Sequence, residues 1–159
     1  IVMKLLHYFI TEKNYNPIVL HGASGEIWLE NTESNSYEIV RIVTNYIHNN
    51  DVKLGDVDEV KVDDNIYVEN LMGQEFLYKG PHGEIPCNYD AIQRGFLKIM
   101  INWHNKNEKY SIHMPRIGCG LAGGDWNVIE YIIKETFIKM AKVDVYVYDL
   151  KKSYKKSYE

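Results

Sequence analysis

Seven residues, Gly118-Cys119-Gly120-Leu121-Ala122-Gly123-Gly124, present almost no side chain and a great deal of backbone. Such a run suits one kind of chemistry: N–H groups turned toward an anion, with positive φ available where the turn needs it. It lies between an extended-looking segment, Tyr110 to Met114, and a helix-patterned one, Asn127 to Met140. A helix start behind the loop adds a dipole that favours phosphate, and Asp125 is placed to cap it. The plainer reading is a strand-to-helix turn whose small residues serve packing, and glycines alone do not separate the two. A second small-residue loop, His21-Gly22-Ala23-Ser24-Gly25, follows the apolar run Pro17 to Leu20. An unperturbed imidazole titrates near neutrality, so His21 is a candidate general acid or base. The alternative is a strand-end histidine held by hydrogen bonds. Cys119, near a helix start, sits where a thiol pKa can fall, or serves only as a small residue. His82 is expected in solvent. No cluster of His, Cys or carboxylates has metal-ligand spacing, so neither a metal nor another cofactor is expected.

The elements that must position these loops follow from periodicity. Met3 to Ile10 and Pro17 to Leu20 read as strands. Asn35, three residues before Glu38, opens a helix carrying Ile39, Val40, Val43, Tyr46 and Ile47 at helical spacing. Val57–Val62 and Ile66–Asn70, joined by Asp63-Asp64-Asn65, predict a β-hairpin. Gly73 to Pro86 is a long loop of a kind that often carries function. Asn88 caps a helix that buries Ile92, Phe96, Ile99, Met100 and Trp103. The last helix turns Ile129, Ile132, Ile133, Phe137 and Met140 inward, and Val143, Val145 and Val147 alternate in a final strand. The order β-β-α-β-β-α-β-α-β predicts an α/β domain of three layers, α/β/α, around a central mixed sheet over residues 1–150. Residues 151–159 are expected to form a polar tail. Both small-residue loops fall at the carboxyl ends of strands, where such sheets bind ligands.

The run Met114-Pro-Arg-Ile-Gly-Cys-Gly-Leu-Ala-Gly-Gly-Asp-Trp126 resembles the diphosphate and distal-ribose loop of macrodomains, the ADP-ribose-recognising α/β modules. It is most similar to the branch that includes phage-type ADP-ribose 1''-phosphate phosphatases. Weaker likeness extends through Leu54–Val62, Val68–Gln74, Asn88–Ile92 and Val145–Asp149. The resemblance implies a macrodomain-like fold and recognition of ADP-ribose or a related nucleotide. Gly22, Ser24, Gly118, Cys119, Gly120, Leu121, Ala122, Gly123 and Gly124 would line the ligand, and His21 and Gln74 would be catalytic. Gln74 stands where phosphatase-like relatives place a polar residue that orients a water or ribose hydroxyl.

The front half departs from that pattern. Phe9-Ile-Thr-Glu12 lacks the Asp that reads adenine, Ser24 replaces an Asn that contacts the distal ribose, and Glu26-Ile-Trp-Leu-Glu30 replaces a glycine-rich segment. The lysine and aspartate of the deacylating branch correspond to Gln74 and Ala122, which argues against a lysine-adduct mechanism. Two function classes therefore stay open: an ADP-ribose-derivative hydrolase, for example one that removes a 1''-phosphate, and a module that binds ADP-ribose or an NAD-derived nucleotide without turnover.

Composition sets the outer bounds. The chain has 159 residues, 45% hydrophobic and 25% charged, which suits one globular domain rather than disorder. A net charge of −4 disfavours general nucleic-acid binding, which requires a basic face. Two cysteines without CxxC spacing read as free thiols. No stretch approaches 18 apolar residues and the start lacks a signal-peptide core, so a soluble, cytoplasmic protein without membrane partners is expected.

Overall fold

The computed structural model describes residues 17–23, 53–75, 79–120 and 122–149. The expected strand at 3–10, the helix following Asn35 and the tail at 151–159 lie outside the described residues. So do Glu12, Ser24, Glu26, Glu30 and Leu121.

Among the described residues, five strands form one sheet: β1 (Pro17–Ala23), β2 (Val57–Asp63), β3 (Ile66–Met72), β4 (Ser111–Met114) and β5 (Val145–Val147). Their order is β2-β3-β1-β4-β5. β1 runs parallel to β3 and β4, β4 runs parallel to β5, and β2–β3 is an antiparallel hairpin. The sheet is therefore mixed, as the element order predicts. The hairpin turn is Asp64-Asn65, shorter than the three residues expected, because an irregularity between Lys61 and Asp63 draws Asp63 into the ladder. β3 alternates its side chains between two covered faces. Tyr67, Glu69 and Leu71 point toward one helical layer, while Ile66, Val68, Asn70 and Met72 are buried on the other face.

Helix α1 (Tyr89–Lys106) starts where Asn88 accepts the Ala91 N–H at 2.9 Å and stops at Asn107, which adopts a left-handed conformation with φ 52. Its inward residues Ile92, Phe96, Ile99, Met100 and Trp103 are the five that periodicity predicts. They pack against Leu71, Ile112, Met114 and Phe137. Each large apolar side chain buried there contributes about 1.5–3 kcal/mol. Glycine lets α1 lie close to the sheet: a Cβ on Gly95 would come within 2.4 Å of Leu71.

Helix α2 (Trp126–Ile133) begins at Asp125, whose carboxylate accepts the Asn127 N–H at 2.9 Å. Ile129, Ile132, Ile133 and Phe137 face the core as expected, but Met140 does not; it is 64% exposed. The helix continues as a π-turn over Lys134–Ile138, where Thr136 Oγ1 donates to Ile132 O at 2.7 Å. The wider turn holds more residues than an α-turn, so residues beyond it leave the 3.6-residue register. The last strand is also shorter than expected. Val143 and Val145 pack on the core, while Val147 is largely exposed. β4 ends at Met114, whose carbonyl accepts the Tyr148 N–H, and it offers β5 no longer ladder.

Candidate functional site

β1, β3, β4 and β5 are mutually parallel through their neighbours, so their carboxyl ends share one edge. β1 has β3 on one side and β4 on the other, and such a reversal of strand order opens a crevice at the carboxyl edge. Three segments converge there. β1 runs on past the expected end at Leu20 to Ala23, so His21 and Gly22 belong to the strand and not to the loop, in register with Asn70 and Leu71. Gly73 and Gln74 follow β3, and residues 115–125 follow β4.

The last of these is folded by its own backbone. Cys119 N–H donates to Arg116 O at 3.2 Å, Gly123 N–H to Gly120 O at 3.0 Å and Gly124 N–H to Gly118 O at 2.7 Å. These bonds close the loop as nested turns. Among the described residues, the N–H groups of Gly118, Gly120 and Ala122 meet no acceptor. The loop thus divides its donors between those that hold its shape and those without an acceptor among the described residues.

The glycines divide in the same way. Gly118 has φ +76, and a Cβ there would lie 2.9 Å from Cys87 Sγ. A Cβ on Gly124 would meet Gly118 O at 2.5 Å. Both positions are glycine because the turn leaves no alternative. Gly120 is exposed, and among the described residues a Cβ on it would meet nothing within 4 Å. Packing by the described residues does not account for glycine at 120.

The start of α1 fastens this loop to the end of β3. Cys87 N–H donates to Ala122 O at 3.1 Å, Asn88 N–H to Gly73 O at 2.9 Å and Asp125 N–H to the Tyr89 hydroxyl at 2.8 Å. Gln74, half-buried, pairs with Cys87 in an antiparallel bridge. Of the expected site residues, Gln74, Gly118, Cys119, Gly120, Ala122, Gly123 and Gly124 are thereby tied into one framework. His21 and Gly22 reach the same edge on β1, and Ser24 and Leu121 lie outside the described residues.

Of the two readings of Cys119, the small residue is the one that fits: burial raises its thiol pKa, Arg116 pulls the other way and Asp125 adds to the rise. Burial and the neighbouring Cys119 push Cys87 up to about 11. Both remain thiols at neutral pH, and Cys119 Sγ donates to Ile117 O at 3.5 Å. Arg116 is engaged in a bidentate pair with Asp149, at 2.7 and 3.1 Å, and lies 5.2 Å from the Trp126 ring centroid. His82 is exposed at the tip of the 80–84 turn, as expected.

Lys79 was not expected at this site. It is exposed, yet a Cβ on Gly123 would come within 2.8 Å of Lys79 Cε and 3.2 Å of Ile85 Cγ2. The segment Lys79-Gly-Pro-His-Gly83 is legible as a turn, but nothing in it signals which residue the lysine faces. A separate groove of about 980 Å³, lined by residues including Met100, His104, Tyr110 and Met140, lies where α1 ends and β4 begins, away from these loops.

No family model matches the chain. A curated relative, an uncharacterized 17.5 kDa protein in the tk-vs intergenic region of Enterobacteria phage T4, is 34% identical over 83 residues. Those residues are 52% of this chain and 48% of that protein, so the match spans about half the length of the curated relative. A protein of unknown function from Bacteroides thetaiotaomicron superposes with a TM-score of 0.73 at 30% identity, over 87% of this chain and 90% of its own. The macrodomain protein from Streptomyces coelicolor superposes with a TM-score of 0.64 at 24% identity, over 88% of this chain and 92% of its own. The chain has the macrodomain fold. It belongs to one family with the Bacteroides protein, and the macrodomain-like α/β fold implied by the Gly118–Gly124 sequence is the observed one. Thermosipho africanus DarTG, whose structure is a complex with ADP-ribose, shares the fold at 13% identity with a TM-score of 0.62, over 82% of this chain and 37% of its own. Among the described residues, no helix is long and apolar enough to cross a membrane.

Proposed function

We propose that this macrodomain recognises ADP-ribose or a close derivative at the carboxyl edge of its sheet, with the diphosphate against the backbone of Gly118 to Gly124. The observation that carries this reading is the division within the loop: three N–H groups close the turns, while those of Gly118, Gly120 and Ala122 have no acceptor among the described residues. A phosphate that accepts such bonds gains charge-assisted contacts of about 1.5–3 kcal/mol each. Among the described residues nothing lies within 4 Å of a Cβ on Gly120, which leaves room for the phosphate oxygens. Gly22, Ser24, Cys119, Leu121, Gly123 and Gly124 complete the proposed lining.

The finer reading is hydrolysis, such as removal of a 1''-phosphate. Water would attack phosphorus, the bond from phosphorus to the ribose oxygen would break, and that oxygen would leave with a proton. His21, near the end of β1, would transfer the proton, and Gln74 would orient the water. A second reading, binding without turnover, is favoured by the chemistry of the loop itself. Ala122 carries no functional group and Cys119 stays protonated, so the loop offers no group that titrates near neutrality.

One experiment separates the two. ADP-ribose and its 1''-phosphate are titrated calorimetrically while phosphate release is followed. Hydrolysis predicts release that falls at least about tenfold in His21→Ala and Gln74→Leu with binding retained. Binding without release selects the module, and absence of binding to either ligand removes both readings.

A further inference from the structure

We propose that Lys79 is the counter-cation of the anion site, so that the site selects ligands carrying a phosphoryl group at the Gly120–Gly123 turn. This rests on the ligand class proposed above and adds the residue that sets its charge preference. Three observations meet at that turn. Its backbone closes through Gly123 N–H to Gly120 O, which leaves the N–H groups of Gly120 and Ala122 without an acceptor among the described residues. The Lys79 side chain lies across Gly123, its Cε 2.8 Å from the position a Cβ would take, so its ammonium flanks the same turn. Among the described residues, no carboxylate or other acceptor pairs with that ammonium, whereas Arg94, Lys98, Lys106, Arg116, Lys134 and Lys139 all have carboxylate partners.

The lysine is also held in place. Its segment turns back through Gly80 N–H to Glu84 O at 2.9 Å and Gly83 N–H to Gly80 O at 3.0 Å, with Gly83 at φ +84. Glu84, in the same turn, makes no ion pair with the lysine; its Oε2 accepts the His82 N–H at 3.0 Å. Ile85 approaches the same glycine, its Cγ2 3.2 Å from the position a Gly123 Cβ would take. A long side chain with a fixed base, and with no acceptor at its head among the described residues, is suited to a mobile anion: its methylenes pack while its charge stays available. Lysine acts on phosphate as a point charge, so it complements the directional N–H donors of the loop without dictating their geometry.

The test uses the full chain with ADP-ribose and inorganic diphosphate as probes, comparing the parent with Lys79→Met and Lys79→Arg. Methionine keeps most of the packing volume and removes the charge. Binding of both probes is expected to weaken about tenfold in Lys79→Met, roughly 1.4 kcal/mol, with unchanged thermal stability. Affinity should also depend less steeply on salt, because one cation–phosphate contact is gone, and Lys79→Arg should restore most of both. If the parent binds ADP-ribose and Lys79→Met binds it equally, with the same salt dependence, the inference is overturned while the ligand reading stands. If ADP-ribose does not bind but diphosphate does, in a Lys79-dependent way, the ligand reading falls and the counter-cation stands. If neither probe binds the parent, both fall.

Discussion

Where α1 crosses the β2–β3 hairpin, polar side chains are matched to one another. Glu69, 1% exposed, faces Glu59 across the antiparallel pair and accepts the Trp103 Nε1–H at 3.2 Å. Glu59 accepts from Lys106 Nζ at 2.9 and 3.0 Å and from Asn102 at 3.1 Å, and Lys106 lies 4.0 Å from the Trp103 ring centroid. Burial, reinforced by Glu59, pushes the Glu69 carboxyl up to about 9. Hydrogen bonds from Glu69 and Lys106 hold Glu59 below its ordinary value although burial opposes this. At neutral pH the proton therefore stays on Glu69 and Glu59 carries the charge. At the carboxyl edge of the sheet the pattern is reversed. Among the described residues, three loop N–H groups and one lysine have no acceptor, and a Cβ on Gly120 would meet nothing within 4 Å. Closed polar clusters hold a fold together, whereas open donors are where a ligand gains most.

The comparison breaks most visibly through Trp103→Ala. Trp103 is fully buried and joins Glu69, Tyr67 and Tyr110. Its loss should cost about 3–5 kcal/mol in urea unfolding and leave Glu69 without its indole donor. A variant as stable as the parent would show that the cluster does not hold the hairpin to α1. Gly124→Ala comes next. Its Cβ would meet Gly118 O at 2.5 Å and Cys87 Sγ at 2.8 Å, so the loop must shift at a cost of about 1–3 kcal/mol. Thermal unfolding should report the loss, and unchanged stability would mean the turn is looser than drawn.

A smaller effect lies in the pH dependence. Glu69 binds its proton more tightly folded than unfolded, so its contribution is complete below about 4.5 and is lost as pH rises toward 9. His113 has the opposite sign. Burial lowers it from 6.5 to about 4, while its ring nitrogens lie 2.8 Å from Ser111 Oγ and 2.9 Å from the Tyr148 hydroxyl. Its contribution is present above 6.5 and is lost as pH falls toward 4. Stability should therefore decline from pH 6.5 to 9 through Glu69, by at most about 1.4 kcal/mol per pH unit. Urea midpoints across that range should flatten in Glu69→Gln. An equally steep decline in the variant would assign the slope to another group.

Much of the frame was legible because it follows from local rules. Ile92 to Trp103 repeat at helical spacing, Asn88 and Asp125 are short polar residues ahead of apolar runs, and Asp64-Asn65 punctuates two alternating segments. The inward direction expected for Met140 failed because a π-turn is a backbone choice that the pattern of apolar residues does not encode. The site was legible in part. The glycine run marked the loop, but which glycines serve the turn and which leave space depends on where Cys87 packs. Lys79 was invisible because its role comes from a contact between distant segments. The two readings of Cys119 separate only in the structure, where burial outweighs proximity to a helix start and leaves the small residue.

The central claim is that a phosphate of an ADP-ribose-like ligand lies over Gly120. Isothermal titration of ADP-ribose into Gly120→Glu, beside the parent and with thermal unfolding of both, tests it most directly. The new side chain would extend into open space, so the fold should be kept, with melting temperatures within a degree or two. It would also occupy the phosphate position with a like charge, and affinity should fall at least about tenfold, roughly 1.4 kcal/mol. A folded Gly120→Glu that binds ADP-ribose as tightly as the parent would contradict the account, because the loop would then be only a turn and the ligand would lie elsewhere.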